Sequence, residues 1–319
     1  MHQELESWHC LRSRPAFAAT ALLMAATATT AQGPAPETAP PLFPGGGLIS
    51  YGSVFTTRAA TLGAISEEIP STSRPTFAHE ADFNFTWGFY PNFDLTVVIP
   101  IATSRFDVAS TTLGGTGLGD AMFLVKYRFY RRDSSRGTSQ ASFTLGPKVP
   151  TGRTDLTAAN GKLLPAGLQS GSGSTDLFVG ANWTYTGLFN VRRLVADEDF
   201  NALLPSRGSQ QTRLGRDFES RFWLSYRPYE AQDGSREWFI GRVLTWLHSG
   251  DDDVAGVSMP SGGDVFLAGI STYVGIRPGM HVWLAMDWEA AHSSGPQFMP
   301  LRGLISFGIT QQFRMHLFR

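Results

Sequence analysis

The chain has 319 residues, 42% hydrophobic, 17% charged and 12% aromatic, with 34 Gly and one Cys, which excludes a disordered polymer. Its 26 Lys plus Arg against 27 Asp plus Glu leave a net charge of -1, so the basic footprint expected of a nucleic-acid binder is missing. Length leaves the domain count open, because single all-β units run to about 250 residues and beyond.

The N-terminus reads as an address. Arg12 and Arg14 precede an Ala-rich apolar run from Pro15 to Ala28, and small residues follow at Ala26-Thr27-Ala28 and Thr29-Thr30-Ala31. That order predicts a cleaved secretory signal peptide over residues 1–31. Cys10 lies within it, so the exported chain would carry no thiol and no disulfide scaffold. The Pro/Gly-rich segment 32–46 is expected to be an extended tail, a periplasmic linker, with insertion into a pore as a small plug the alternative. Residues 47–319 are expected to form one barrel.

From there the pattern has a period of two. Ala81, Phe83, Phe85, Trp87 and Phe89 alternate with Asp82, Asn84, Thr86 and Gly88, which is a strand with one apolar and one polar face. The same alternation recurs around Phe123 and Val125, around Val179 and Trp183, and around Ile305 and Phe307. About twelve such stretches centre near residues 53, 83, 98, 124, 143, 180, 191, 222, 242, 270, 286 and 307. Short connections at Pro91-Asn92, Arg131 to Gly137, Gly187, Pro228 to Ser235 and Arg277 to Gly279 take turns with long ones. The long ones are Thr61 to Arg74, Arg105 to Thr116, Pro150 to Ser172, Asp197 to Gly215, Gly250 to Gly263 and Ala291 to Pro300.

An even strand number with short turns at one end and long loops at the other is what a bacterial outer-membrane barrel requires. No later stretch offers 18 consecutive apolar residues. An exported chain without apolar helices spans lipid only as a closed sheet, in which every backbone donor and acceptor is paired internally. Trp87, Tyr90, Trp183, Tyr185, Tyr226 and Trp288 near strand ends suit the water–lipid boundary. A soluble periplasmic β-sandwich or barrel with its apolar face turned inward predicts the same alternation. The two differ in which medium wets the apolar side.

Three motifs occur in order: Gly117-Leu118-Gly119-Asp120 leading to Lys126-Tyr127, then Lys148-Val149-Pro150-Thr151-Gly152, then Gly171-Ser172-Gly173-Ser174-Thr175-Asp176. Together they resemble the MetA-pathway of phenol degradation family. The resemblance covers Gly46 to Phe318 and implies an outer-membrane barrel that takes up aromatic or other hydrophobic compounds. The chain departs from such barrels in ending Leu317-Phe318-Arg319 rather than on an aromatic residue. Read physically, the motifs are loop borders, where Gly117, Gly119, Gly171 and Gly173 allow sharp turns and Pro150 with Gly152 ends a strand.

Catalytic chemistry has little support. His248 and Ser249 are adjacent on a strand and point to opposite faces, and the other histidines are dispersed, so neither a catalytic pair nor a zinc site is expected. No cofactor is expected. The polar parity places Glu80, Asp82, Asp94, Asp120, Asp176, Glu219, Asp287 and Glu289 in the lumen, with Lys126, Arg128, Lys148, Arg221, Arg227, Arg242 and Arg302. Phe178, Trp223, Trp246 and Trp283 share that parity and could line a path for aromatic molecules or fill space. Near-balanced charge argues against strong ion selection. The expected function is a non-enzymatic outer-membrane channel for passive uptake of small hydrophobic or aromatic solutes in a Gram-negative cell. Lipid and the barrel-assembly machinery are the expected partners. The alternatives are a non-conducting barrel acting through its long loops and an outer-membrane hydrolase.

Overall fold

Long antiparallel strands carry the alternation into space. In this computed structural model the described residues are 42, 44–58, 76–108, 111–157, 161, 163–164, 166–231, 236–294 and 301–314, so the leader and nearly all of the tail lie outside them. In chain order the strands are β1 (Gly46–Arg58), β2 (Thr76–Tyr90), β3 (Phe93–Val108), β4 (Thr111–Leu118), β5 (Ala121–Asp133) and β6 (Thr138–Val149). They continue with β7 (Asp176–Thr186), β8 (Leu194–Leu204), β9 (Thr212–Arg213), β10 (Asp217–Glu230) and β11 (Glu237–Ser249). The last are β12 (Asp252–Val254), β13 (Val257–Met259), β14 (Gly263–Arg277), β15 (Met280–Ser294) and β16 (Leu301–Arg314).

Twelve of them close a ring in the order β1, β2, β3, β5, β6, β7, β8, β10, β11, β14, β15, β16 and back to β1, all antiparallel. Closure leaves the ring no edge. At one end the connections are short, as at Asn92 with φ 69° and Gly279 with φ 71°; at the other they are long. β3 is shared: Phe93–Val98 pairs with β5 and Ile101–Val108 pairs with β4, so β4 and β5 are one wall strand broken at Gly119-Asp120. The Gly- and Thr-rich stretch of β4, expected as loop, extends β3 beyond the ring. β9, β12 and β13 form a small separate sheet at the long-loop end.

Burial decides which medium wets the apolar side. On β2, Phe83 is 47% exposed and Phe85 39%, while Asp82 is 0% and Asn84 3%. Outward Ile99, Leu244, Ile270 and Ile305 repeat the pattern around the ring. A soluble barrel requires the reverse, since exposed apolar area on this scale is tolerated only against lipid or a partner. The inward face is not uniformly polar. Val54, Leu247, Val265, Leu267, Leu301 and Leu304 form one buried cluster, and Val98, Met122, Leu124, Phe178 and Leu203 another.

Besides β4, the structure differs from the sequence reading in three places. The strand expected near residue 191 is β8, eight residues further on; Leu188–Asn190 is a 3-10 turn entered through Gly187 at φ 88°. Arg242 and Trp246 share the outward parity of β11 with Trp238, Ile240 and Leu244, while Phe239, Val243 and Leu247 are buried inside. Both faces of that strand are largely apolar, so an arginine is a poor guide to which side is wet. Arg302 sits at a bulge where the β1 partner jumps from Gly303 to Leu301, which turns Leu301 inward and leaves Arg302 exposed.

Candidate functional site

The three motifs, separated in sequence, converge on one latch. Asp120, at the break between β4 and β5, accepts the backbone N–H of Gly152 at 3.0 Å through Oδ1. Its Oδ2 accepts the N–H of Ser172 at 2.8 Å and the Ser172 hydroxyl at 2.6 Å. Lys148 Nζ lies 3.3 Å from that same oxygen, 2.5 Å from Asp176 Oδ2, and donates to Ser172 Oγ at 3.0 Å. Asp176 Oδ1 accepts the N–H of Ser206 at 3.0 Å, tying in the next long connection. All three charged side chains are at most 7% exposed. Such a group is stable only when each charge is paired and hydrogen-bonded, as these are.

The latch draws the Pro150–Thr175 connection into the lumen. A Cβ on Gly152 would stand 2.5 Å from Gly171 Cα, and one on Gly171 only 2.4 Å from the Gly152 carbonyl carbon. Only glycine permits that approach. Within the loop, Gln169 accepts the Leu156 N–H at 2.8 Å and donates to the carbonyls of Leu156 at 3.0 Å and Leu164 at 2.8 Å. Leu164 and Leu168 are 1% exposed, and Ser104 on the inward face of β3 donates to the Leu168 carbonyl. The loop is therefore a folded inner cover rather than a mere border.

Between this cover and the wall lies a small, half-open pocket. Pro100, Ala102, Met122, Ala166 and Leu214 supply apolar walls, with Glu80, Asp120 and Lys148 as charged elements.

The other residues singled out in the sequence occupy several levels of the barrel. Asp82, Glu219, Arg221, Trp223, Trp283 and Asp287 are buried on the inward face. Lys126, Arg128 and Glu289 are half-buried there. Asp94 is buried at the short-turn end and accepts the Leu42 N–H at 3.0 and 3.1 Å, where the chain enters β1. Arg128 donates to Asn92 and Gln140, and Arg221 lies 2.8 Å from Glu219 and over Trp223. Arg302 pairs with Glu289 at the long-loop rim. Arg242 and Trp246 lie on the outer surface and contribute nothing to the lumen. His248 and Ser249 do point apart: His248 meets Asp264 outside and Ser249 donates to Asp217 inside.

Sequence reasoning missed Arg58, Asp197, Asp199 and Asp217, all buried inside. Asp197 and Asp199 fell within the stretch taken as loop, Asp197 to Gly215, and only the period-2 spacing of Asp197, Asp199 and Asn201 could have revealed them.

No family model matches the sequence, and no characterised protein matches it. Solved structures do resemble the fold. The COG4313 outer membrane channel from Pseudomonas putida F1 superposes with a TM-score of 0.59 at 14% identity, over 85% of this chain and 97% of that one. The KdgM porin gives 0.41 at 8% identity over 84% and 99%. The TodX monoaromatic hydrocarbon channel gives 0.42 at 9% identity over 86% and 91%. At 14% identity the likeness to the first of these shows the fold alone, an outer-membrane type, twelve-stranded antiparallel barrel.

Proposed function

We propose that this chain is an outer-membrane channel through which small solutes pass passively, with the pocket beneath the latched loop as a station on the route. A closed ring that is apolar outside and charged inside, enclosing a roofed pocket, carries the reading. The short-turn end then faces the periplasm, and the chain reaches the membrane through its leader and the barrel-assembly machinery. The likeness to an outer membrane channel supports the reading at the level of fold. An uptake role for hydrophobic or aromatic solutes is supported by the motif resemblance and by the apolar walls of the pocket. The framework is that of a non-enzyme.

The test is conductance of the purified full chain in planar bilayers, together with solute flux into liposomes. Discrete current steps and faster entry of a small aromatic solute are expected. A correctly folded barrel that carries neither would leave the non-conducting alternative, in which the long loops bind a partner.

A further inference from the structure

The inward face carries a surplus of acid over base, concentrated in three places. Lys148 stands between Asp120 and Asp176. Arg221 has Glu219 at 2.8 Å, Asp199 as its direct cross-strand neighbour and Asp287 within electrostatic reach. On β2, Glu80 and Asp82 point inward two residues apart, Glu80 lining the pocket.

The third place has a feature that the others lack. Asp82 is 0% exposed, and its neighbour within bonding reach is the Glu80 carboxyl, itself an acid, so among the described residues no base, hydroxyl or backbone N–H reaches either of its oxygens. Neighbouring Asn84 and Ser50, 3% and 2% exposed, likewise have side-chain polar atoms without a hydrogen-bond partner. The register sets Ser50 beside Asn84, and Gly52 beside Asp82 with no side chain to crowd it. Oxygen acceptors thus form a shelf on the lumen wall next to the pocket. Leaving Asp82 buried beside a neighbouring acid without a counter-charge is costly, and a positively charged group at the shelf removes that cost.

Resting on the channel reading, we propose that Asp82, with Glu80, Asn84 and Ser50, seats a positively charged group and that the lumen prefers cations to anions. The described residues offer no set of three or more acidic, His or Cys side chains for a chelated metal. The seat therefore suits a monovalent charge, either an inorganic ion such as K⁺ or the ammonium end of an organic solute whose body rests on Pro100, Ala102 and Met122. This replaces the near-balanced lumen expected from sequence, because Arg242 and Arg302 leave the count of inward bases and only Arg58 joins it, while Asp197, Asp199 and Asp217 join the acids.

The experiment is the reversal potential of the full chain in planar bilayers under a KCl gradient, with Asp82→Asn and Glu80→Gln alongside and heat-modifiable migration as the folding control. A reversal potential of the sign for cation preference is expected, shifted towards zero in both variants. A conducting wild type with zero or anion-preferring reversal overturns the selectivity, and unchanged selectivity in both folded variants overturns the seat. Replacing KCl with benzylammonium chloride, and with potassium benzoate as the anionic counterpart, separates the two sources. A reversal shift specific to benzylammonium assigns the seat to organic ammonium solutes, and dependence on K⁺ alone assigns it to inorganic ions. In detergent, the occupying cation should raise the unfolding temperature of the wild type but not of Asp82→Asn. No such shift overturns the seat even where the bilayer is silent, a result that by itself defeats only the channel reading.

Discussion

The two faces of one wall treat charge in opposite ways. Inside, Lys148, Asp120 and Asp176 are almost wholly buried, yet each is held by an opposite charge or several donors. Outside, Arg242 lies between Ile240 and Leu244 and opposite Leu224 with no ion pair among the described residues. Glu198, also outward, has among the described residues only the Ser220 hydroxyl, at 2.8 Å. Burial of charge is thus tolerated where the chain supplies partners. On the lipid side both charges stand near mid-strand, where the long arginine stem lets its guanidinium lean towards headgroups and water.

Breaking the inner arrangement should have the largest effect. Lys148→Met strands two carboxylates, and removing one member of a buried pair typically costs about 3–5 kcal/mol. Because the cost falls on docking of the loop, the expected outcome is a released cover, measured as higher conductance and faster trypsin cleavage at Arg153. An unchanged channel would mean that the latch holds nothing. Val97→Arg places a charge on the outward face near mid-strand and should cost about 2–4 kcal/mol of folding free energy in lipid. Equal unfolding curves in phospholipid vesicles would invert the assignment of faces.

Smaller effects sharpen the comparison. In β12, burial pushes the Asp252 carboxyl up to about 6, against the pull of the Gly215 N–H and Ser261. The folded rim then holds a proton that the unfolded chain gives up near its usual value of 3.8, so hairpin stability falls as pH rises through that interval to about 6 and is level above it. The protection factor of the Gly215 amide, its exchange rate corrected for the intrinsic pH dependence, should be larger at pH 4.5 than at pH 7.5. Arg242→Leu should stabilise the barrel in lipid by up to about 2 kcal/mol, since an outward arginine mid-way along a strand is costly even where its stem lets the guanidinium lean towards water. A marked change in ion selectivity on this substitution would return Arg242 to the lumen.

Much of the wall was legible in sequence, because lipid on one side and a polar interior on the other force the period of two. Legibility failed where that contrast weakens. β8 carries Asp197, Glu198 and Asp199 in succession, which resembles a loop until one carboxylate is allowed an outward position with a serine partner. The apolar run Leu188 to Val191 resembles a strand but turns at Gly187. In β11 both faces are greasy, so parity could not be fixed by Arg242, and at Arg302 a single bulge exchanged inside for outside. The site was legible only as fragments. Nothing local to Gly119-Asp120, Lys148 or Gly171-Ser172 announces that they meet, because their contact depends on the register of three neighbouring strands, β5, β6 and β7.

The touching of Gly152 and Gly171 has one more consequence. With the Gly171 N–H also bonded to the Arg153 carbonyl, residues 153–170 begin and end at a single point of the wall, like a pendant on a clasp. Such a segment can be lengthened, shortened or exchanged as a cassette without disturbing the ladder of the barrel. A new preference for cargo could therefore be installed on this scaffold by rewriting one insert while every wall strand stays as it is.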